Sequence, residues 1–287
     1  MQPDIRQEII KSIKKLPTLP IIFEKILETV DDPRSSANEL QEIIKNDQSI
    51  TAKILNMANS AYYGYSKRVS SLSRAVVILG FDMVKNIALS VSVFSMFPYK
   101  NEKSYFNKEQ FWLHAIACGY LGKMIAERTN YYEPDKAFIA CLLHDIGKVV
   151  LDSYFEDDYS KAIQIKAKEN ISIREAEEKV IDLNHTEVGY FLGEKWDFPD
   201  ELLSAIRYHH FPAEAPQQYS SLTYLTYLTN IVCQEERIGE GGSVLPVQIE
   251  PQTFAVLKLK DSHLELIRQD IQDLREKLET MIQAIHL

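Results

Sequence analysis

Ala137-Phe-Ile-Ala-Cys-Leu-Leu-His144-Asp145-Ile-Gly-Lys148-Val-Val-Leu151 is the stretch on which the reading of the whole chain turns. Its apolar residues cover most of a helical circumference, and Pro134 upstream suits a first helical turn. The spacing therefore predicts one helix through 137–151. A single polar stripe crosses it: Asp145, Lys148 and Asp152 recur at i, i+3 and i+7, with His144 beside them. Two readings fit. The stripe is the solvated face of an ordinary amphipathic helix, or His144 and Asp145 form the floor of a metal site.

Outward from this stretch, nearly every periodic segment follows the helical repeat. No alternating β-branched run is long enough to require a sheet, so the expected fold class is all-α. Toward the N-terminus, helices are expected over 4–16, from Phe23 to Val30 with a stop at Asp32 and Pro33, and after the capping box Ser36-Ala-Asn-Glu39. Further ones follow from Ile50 to Ala58, over 71–79 with Gly80 as the stop, and over 81–97. The Leu79-Gly80-Phe81 junction is not read as a DNA-binding helix-turn-helix. The second helix is apolar, whereas a recognition helix needs polar groups facing base edges. Tyr62, Tyr63 and Tyr65 suit either a stacking platform or packing in a core or interface, and packing is favoured.

A polar linker over 99–109 leads to a helix over 111–128 that carries His114 on its inner face. A charged, exposed helix is expected over 162–180. His185, Val188, Gly189, Leu192 and Trp196 then form one apolar stripe, so His185 also faces inward. On the helix after Pro199, Leu202, Ile206 and His210 share a line that His209 borders. Beyond Pro216 come a helix over 219–237, a flexible loop at Gly239-Glu-Gly-Gly242, and a long final helix marked by Ile267, Ile271, Leu278 and Ile282. That last helix reads as a cover for the core or a pairing surface. The expected division is an N-terminal helical lobe (1–100), a second lobe (101–213) and a C-terminal helical extension packing on the core (214–287).

The 287 residues carry a formal net charge of −9. Binding nucleic acid through phosphate neutralisation needs a concentrated basic face, so that partner class is disfavoured. Cys118, Cys141 and Cys233 are odd in number, far apart and without a C-x-x-C. They suggest buried thiols rather than a disulfide framework. The first fifteen residues lack an apolar signal-peptide core, and the apolar run 75–97 is interrupted by Asp82, Lys85 and Asn86. The expectation is a cytoplasmic protein with no membrane span.

Five of the seven histidines (His114, His144, His185, His209, His210) fall between positions 114 and 210. One inward histidine is ordinarily a satisfied core residue. Several that converge are different, because each buried polar group left unpaired costs about 1–3 kcal/mol. Neutral imidazoles beside a carboxylate suit a divalent transition metal, and Asp145 could bridge two ions.

Leu16-Pro-Thr-Leu-Pro20, Ile50-Thr-Ala-Lys-Ile-Leu-Asn-Met-Ala-Asn-Ser-Ala-Tyr-Tyr-Gly64 and Ser71-Leu-Ser-Arg-Ala-Val-Val-Ile-Leu-Gly80 resemble the HDOD family of bacterial signalling modules, from about Leu16 to Phe211. The resemblance implies a two-lobed helical fold with an HD-domain-like core and a role in signal transduction. His144-Asp145-Ile-Gly-Lys148 is similar to the His-Asp-x-x-Lys pattern of the related HD-GYP phosphohydrolases, with His114, His185 and the pair His209-His210 at its other histidine positions. By that resemblance the metal ligands are His114, His144, Asp145, His185, His209 and His210. Asp145 bridges, and Lys148 neutralises a phosphate. Asn230 stands where the pattern has a late aspartate, as a weak ligand or site-lining group, and Phe-Pro-Ala-Glu-Ala-Pro follows His210 in place of Gly-Tyr-Pro. The expectation is a regulatory module with one or two ions of iron, manganese, zinc or nickel, working with other signalling proteins. A metal-dependent phosphohydrolase acting on a nucleotide or cyclic dinucleotide is the alternative, and a fold relic whose histidines bind nothing is the third reading.

Overall fold

A computed structural model describes residues 5–31, 36–65, 68–97, 105–129, 131, 133–242 and 248–285. The expected stop at Asp32 and Pro33 and the expected boundary at 100/101 lie outside these residues. The described residues hold helices and no strand, in line with the all-α expectation. In chain order the helices are α1 (Ile5–Ile13), α2 (Ile21–Asp31), α3 (Ala37–Ile44), α4 (Gln48–Ala58), α5 (Leu72–Leu79) and α6 (Phe81–Phe94). Then come α7 (Lys108–Arg128), α8 (Pro134–Leu143), α9 (Ile146–Tyr154), α10 (Glu156–Glu169) and α11 (Ile173–Ile181). The last are α12 (His185–Lys195), α13 (Asp200–Tyr208), α14 (Ser220–Glu235), α15 (Gln252–Val256) and α16 (Asp261–Ile285).

The chain forms two compact units, one of Met1–Leu16 with Lys100–Leu274, the other of Pro17–Tyr99 with Arg275–Leu287. In the second unit α6 is the core: every residue from Met83 to Phe94 is buried, and α2, α3, α4 and α5 all pack on it. This near-complete burial explains why apolar residues fall on every side of the helix, with Lys85, Asn86, Ser90 and Ser92 buried among them. Among the described residues no single helix is long and apolar enough to cross a membrane; α5 and α6 reach that threshold only taken together, across a 113° bend. Tyr62 and Tyr65 do not join a core: both are exposed, and Tyr65 lies under the Arg74 guanidinium.

In the first unit, α7 and α8 pack closely because α7 presents Gly119 and Gly122 to Phe138 and Cys141. Helix α14 lies against α7, α8 and α13, and α12 lies against α1, α9 and α13. Lys195 of α12 donates to the Ile13, Lys14 and Leu16 carbonyls and so satisfies acceptors left open where α1 ends. The three cysteines are buried free thiols, as their apolar surroundings suggest.

Two expected helices are each broken in two. The run 162–180 divides at Asn170, which takes a left-handed φ of 52° and ends α10; Ser172 and Glu175 then form the capping box that starts α11. The run 137–151 divides at His144 and Asp145, between α8 and α9. Its polar stripe is not a solvated face either. Asp145, Lys148 and Asp152 are all buried, Asp152 in an ion pair with Lys108 at 3.0 Å.

Candidate metal centre

The break between α8 and α9 is what aims the first imidazole. A helix end leaves carbonyls without amide partners, and His144, just past α8, donates from Nδ1 to the Cys141 carbonyl at 2.7 Å. His209, just past α13, repeats the device on the Ile206 carbonyl at 2.9 Å. A carbonyl can only accept, so in each neutral ring the hydrogen sits on Nδ1 and Nε2 carries a bare lone pair. His185, the first residue of α12, is set by a carboxylate. Glu177 Oε2 accepts from its Nδ1 at 2.6 Å and from its backbone N–H at 2.8 Å.

All three Nε2 atoms point at Asp145. His185 and His209 stand 3.3 and 3.4 Å from Oδ1, and His144 stands 3.3 Å from Oδ2. His210 Nε2 lies 3.0 Å from His185 Nε2. His144 Nε2, His209 Nε2 and Asp145 Oδ1 are buried with no hydrogen-bond partner. Lone pairs facing a carboxylate oxygen repel unless a cation lies between them. Adjacent ligands of an ion held at about 2.1 Å stand roughly 3.0–3.4 Å apart, which is the spacing here. Asp145, His185, His209 and His210 bring ligand atoms within 4.8 Å of one another, so this donor set fits a divalent transition metal.

Electrostatics keep the set in ligating form. Burial pushes the pKa of His209 down to about 3 and that of His114 down to about 4, so both rings are neutral at neutral pH. Burial alone would lift the Asp145 carboxyl, but the Lys148 ammonium against it holds it well below the usual carboxylate range. Lys148 Nζ donates to Asp145 Oδ2 at 2.5 Å.

The α9–α12 crossing holds His185 in place. A Cβ on Gly147 would fall 2.0 Å from the His185 carbonyl oxygen and 2.7 Å from the Gly189 nitrogen. Only a glycine permits that approach.

His114 belongs to a second, adjoining cluster with Cys118 and His144. Its Nε2 lies 3.0 Å from Asn230 Oδ1 and 3.5 Å from Cys118 Sγ, and its Nδ1 lies 3.3 Å from the Ile238 carbonyl. Asn230 Oδ1 lies within hydrogen-bonding distance of His114 Nε2 and accepts from the Gln234 side chain. The five histidines expected from the sequence form one continuous chain of ring contacts, from His114 through His144 and His209 to His185 and His210.

The order at the pair is the reverse of the expected one. His209 is buried and His210 half-buried, because α13 ends at Tyr208 and the helical line through Leu202 and Ile206 no longer applies. Glu177 carries no signal in the sequence, where it is one charge among many in the expected exposed helix over 162–180. Cys118 had a signal in its place one turn after His114 on the same helix face.

Lys148 is also covered. Its Nζ donates to the Gly241 carbonyl at 2.7 Å, and only 2% of the residue is exposed. The segment Gly239–Gly242, expected as a flexible loop, is tied down as a strap. Glu240 N donates to the Gln110 carbonyl at 3.0 Å, Gly242 O accepts from Ile173 N at 3.1 Å, and Glu240 pairs with Lys166 at 3.3 Å. Gly239, at φ 68°, would place a Cβ 2.4 Å from the His114 backbone nitrogen.

An all-helical protein with a buried histidine–aspartate centre is the class that fold and site define. The chain belongs to the HDOD domain family, which it matches over residues 16–212. It is 28% identical to an uncharacterized protein of Treponema pallidum (strain Nichols), over 76% of this chain and 42% of that one. It is 22% identical to YuxH of Bacillus subtilis (strain 168), over 49% of this chain and 36% of the relative. The chain thus spans less than half the length of the curated relatives it matches. Among solved structures it is similar to an HDOD domain protein of unknown function from Geobacter sulfurreducens, with a TM-score of 0.81, 24% identity and coverage of 99% and 97%. A protein named for signal transduction from Marinobacter aquaeolei VT8 has a TM-score of 0.82, 21% identity and coverage of 99% and 65%. One named as a phosphohydrolase from Shewanella amazonensis SB2B has a TM-score of 0.71, 20% identity and coverage of 96% and 97%.

Proposed function

We propose that this chain is a signal-transduction module whose helical core holds a divalent transition metal, and that it passes its state to other signalling proteins. The observation that carries the metal reading is the meeting of buried lone pairs on His144, His185 and His209 at the carboxylate of Asp145. One ion would be held by Asp145, His185, His209 and His210, and a second position would draw on His144 and Asp145, with His114 joining only by giving up the contact of its Nε2 with Asn230. When bound, a transition metal supplies Lewis acidity toward an anionic oxygen. The residues of the chain do the rest: Lys148 keeps Asp145 ionised, Glu177 fixes the tautomer of His185, and helix-end carbonyls fix those of His144 and His209. The signalling role takes its direction from family membership and from the name of the Marinobacter relative.

Protein purified without a histidine tag is expected to carry about one equivalent of metal by elemental analysis, and Asp145→Ala is expected to release it. Metal content unaffected by that substitution would refute the ligand set. A second reading, a metal-dependent phosphohydrolase, is favoured by one observation: His210 is half-buried and lines a cavity, whereas His144, Asp145, His185 and His209 are buried. Turnover of nucleotides or cyclic dinucleotides with added Mn²⁺, abolished by Asp145→Ala, would establish it. No turnover across the panel would leave the signalling module.

A further inference from the structure

We infer that the cavity between α11, α12 and the end of α13 binds the phosphoryl group of a small phosphoester next to His210, held by Arg174 and Arg207, with the organic part leaving past Phe211. This inference rests on the metal-centre reading above, since it names what approaches that centre.

The two sides of the centre differ. On the Lys148 side the strap Gly239–Gly242 leaves a cavity of about 30 Å³, the share of about one water molecule. Lys148 already donates to Asp145 and to the Gly241 carbonyl, so it offers little to an incoming anion. On the other side a cavity of about 140 Å³ is lined by Arg174, Arg207, Thr186, Tyr208, His210 and Phe211, along with Asn184 and three glutamates. That volume admits a phosphoryl group but not a whole nucleotide, because pockets that enclose drug-sized ligands run to roughly 300–1,000 Å³. His210 connects it to the centre, its Nε2 standing 3.0 Å from that of His185.

The arginines are braced for an anion. Arg207 Nη2 donates to Glu187 Oε1 at 3.3 Å, and Arg174 Nη2 lies 2.9 Å from Glu178 Oε1. Each pair uses one nitrogen of a guanidinium that has five N–H donors. Both carboxylates are committed elsewhere as well. Glu187 accepts from the Asn184 N–H, and Glu178 accepts from the Asn184 side chain. The third glutamate, Glu214, is exposed and screened by solvent. Arg6 approaches the same Glu187 oxygen at 3.9 Å, which places a third guanidinium nearby. Burial, with the like charges of Arg174 and Arg6, pushes the Arg207 pKa down, a repulsion that a bound phosphoryl dianion would relieve. Planar guanidinium forks match phosphate oxygens pairwise. At the mouth, Phe211 is 44% exposed with the Arg174 guanidinium over its ring at 4.6 Å. An apolar ring so placed offers a surface to the organic part of the ligand.

The test is calorimetric titration of the full, metal-loaded chain with inorganic phosphate and, separately, with AMP. Metal content and melting temperature are measured on every variant. Arg207→Gln is expected to weaken both probes about tenfold to a hundredfold, the worth of one charge-assisted hydrogen-bonding group. Arg207→Lys, which keeps the charge and loses the fork, is expected to fall between; it serves as the readout if the glutamine variant folds poorly. Lys166→Ala, on the Lys148 side, is expected to leave both affinities within about twofold. Phe211→Ala is expected to weaken AMP and spare phosphate. Wild-type protein that holds metal and binds neither probe would overturn the inference while leaving the metal reading intact, as would arginine variants of unchanged affinity. Phosphate binding with AMP excluded would overturn the phosphoester assignment in favour of a free phosphate ion. Protein that carries no metal but still binds both probes through Arg207 would refute the metal reading and not the pocket.

Discussion

Gly147→Ala tests how the fold positions the centre. The added Cβ would lie 2.0 Å from the His185 carbonyl oxygen and 2.8 Å from its carbon. Ordinary contact begins at 3.4 Å, so α9 and α12 must part by about 1.4 Å along that direction. Both obstructing atoms are backbone and cannot rotate away as a side-chain tip would. His185 is the first residue of α12, so the displacement passes directly to its ring, now 3.3 Å from Asp145 Oδ1. Metal–ligand distances tolerate about 0.2 Å, several times less than the required shift, so His185 should be lost from the set. Overpacking of a well-filled interior also lowers stability by about 1–3 kcal/mol. Metal content by elemental analysis and urea unfolding of the metal-free protein read the two effects separately. A Gly147→Ala protein with full metal content and an unchanged unfolding midpoint would show that the close crossing does not hold His185 in position.

Further outcomes follow from single contacts. Glu177→Gln replaces the carboxylate that orients His185 with an amide and is expected to weaken metal affinity about 10- to 100-fold, measured by competition with a chelator; equal affinity would contradict that role. Unfolded imidazoles take up a proton near pH 6.5, whereas burial delays this to about 4 for His114 and about 3 for His209. The unfolded state therefore binds more protons between those values, and the stability of the metal-free protein should fall as the pH drops from 6.5 toward 4, by about 3 kcal/mol for His114 alone. An unfolding midpoint flat across that window would refute this. Asp152→Ala removes one partner of a buried ion pair with Lys108 at 3.0 Å and is expected to cost more than about 1 kcal/mol in urea unfolding, against well under 1 kcal/mol if the pair were effectively solvated.

The sequence by itself determined the fold class and the members of the histidine set. Helical periodicity is a local property, and burying an apolar face is the same demand whatever packs against it. His114 and His185 could be assigned to inner faces from their own helices for that reason, and both are fully buried. The stretches Leu16–Pro20, Ile50–Gly64 and Ser71–Gly80 pointed to the family by resemblance of their residues, not by periodicity. Tertiary structure decided everything that depends on direction. Whether the apolar run from Ala137 continues through His144 depends on packing, because a break there lets His144 satisfy the Cys141 carbonyl and turn its free nitrogen toward Asp145. Glu177 reads as one more charge in an exposed helix until α11 brings it to His185, eight residues away. The strap across Lys148 and the arginine-lined cavity beside His210 unite segments far apart in the chain, Lys148 and Gly241 across 93 residues among them. Local patterns state which side chains must be buried; only the packed chain settles which buried atoms face one another.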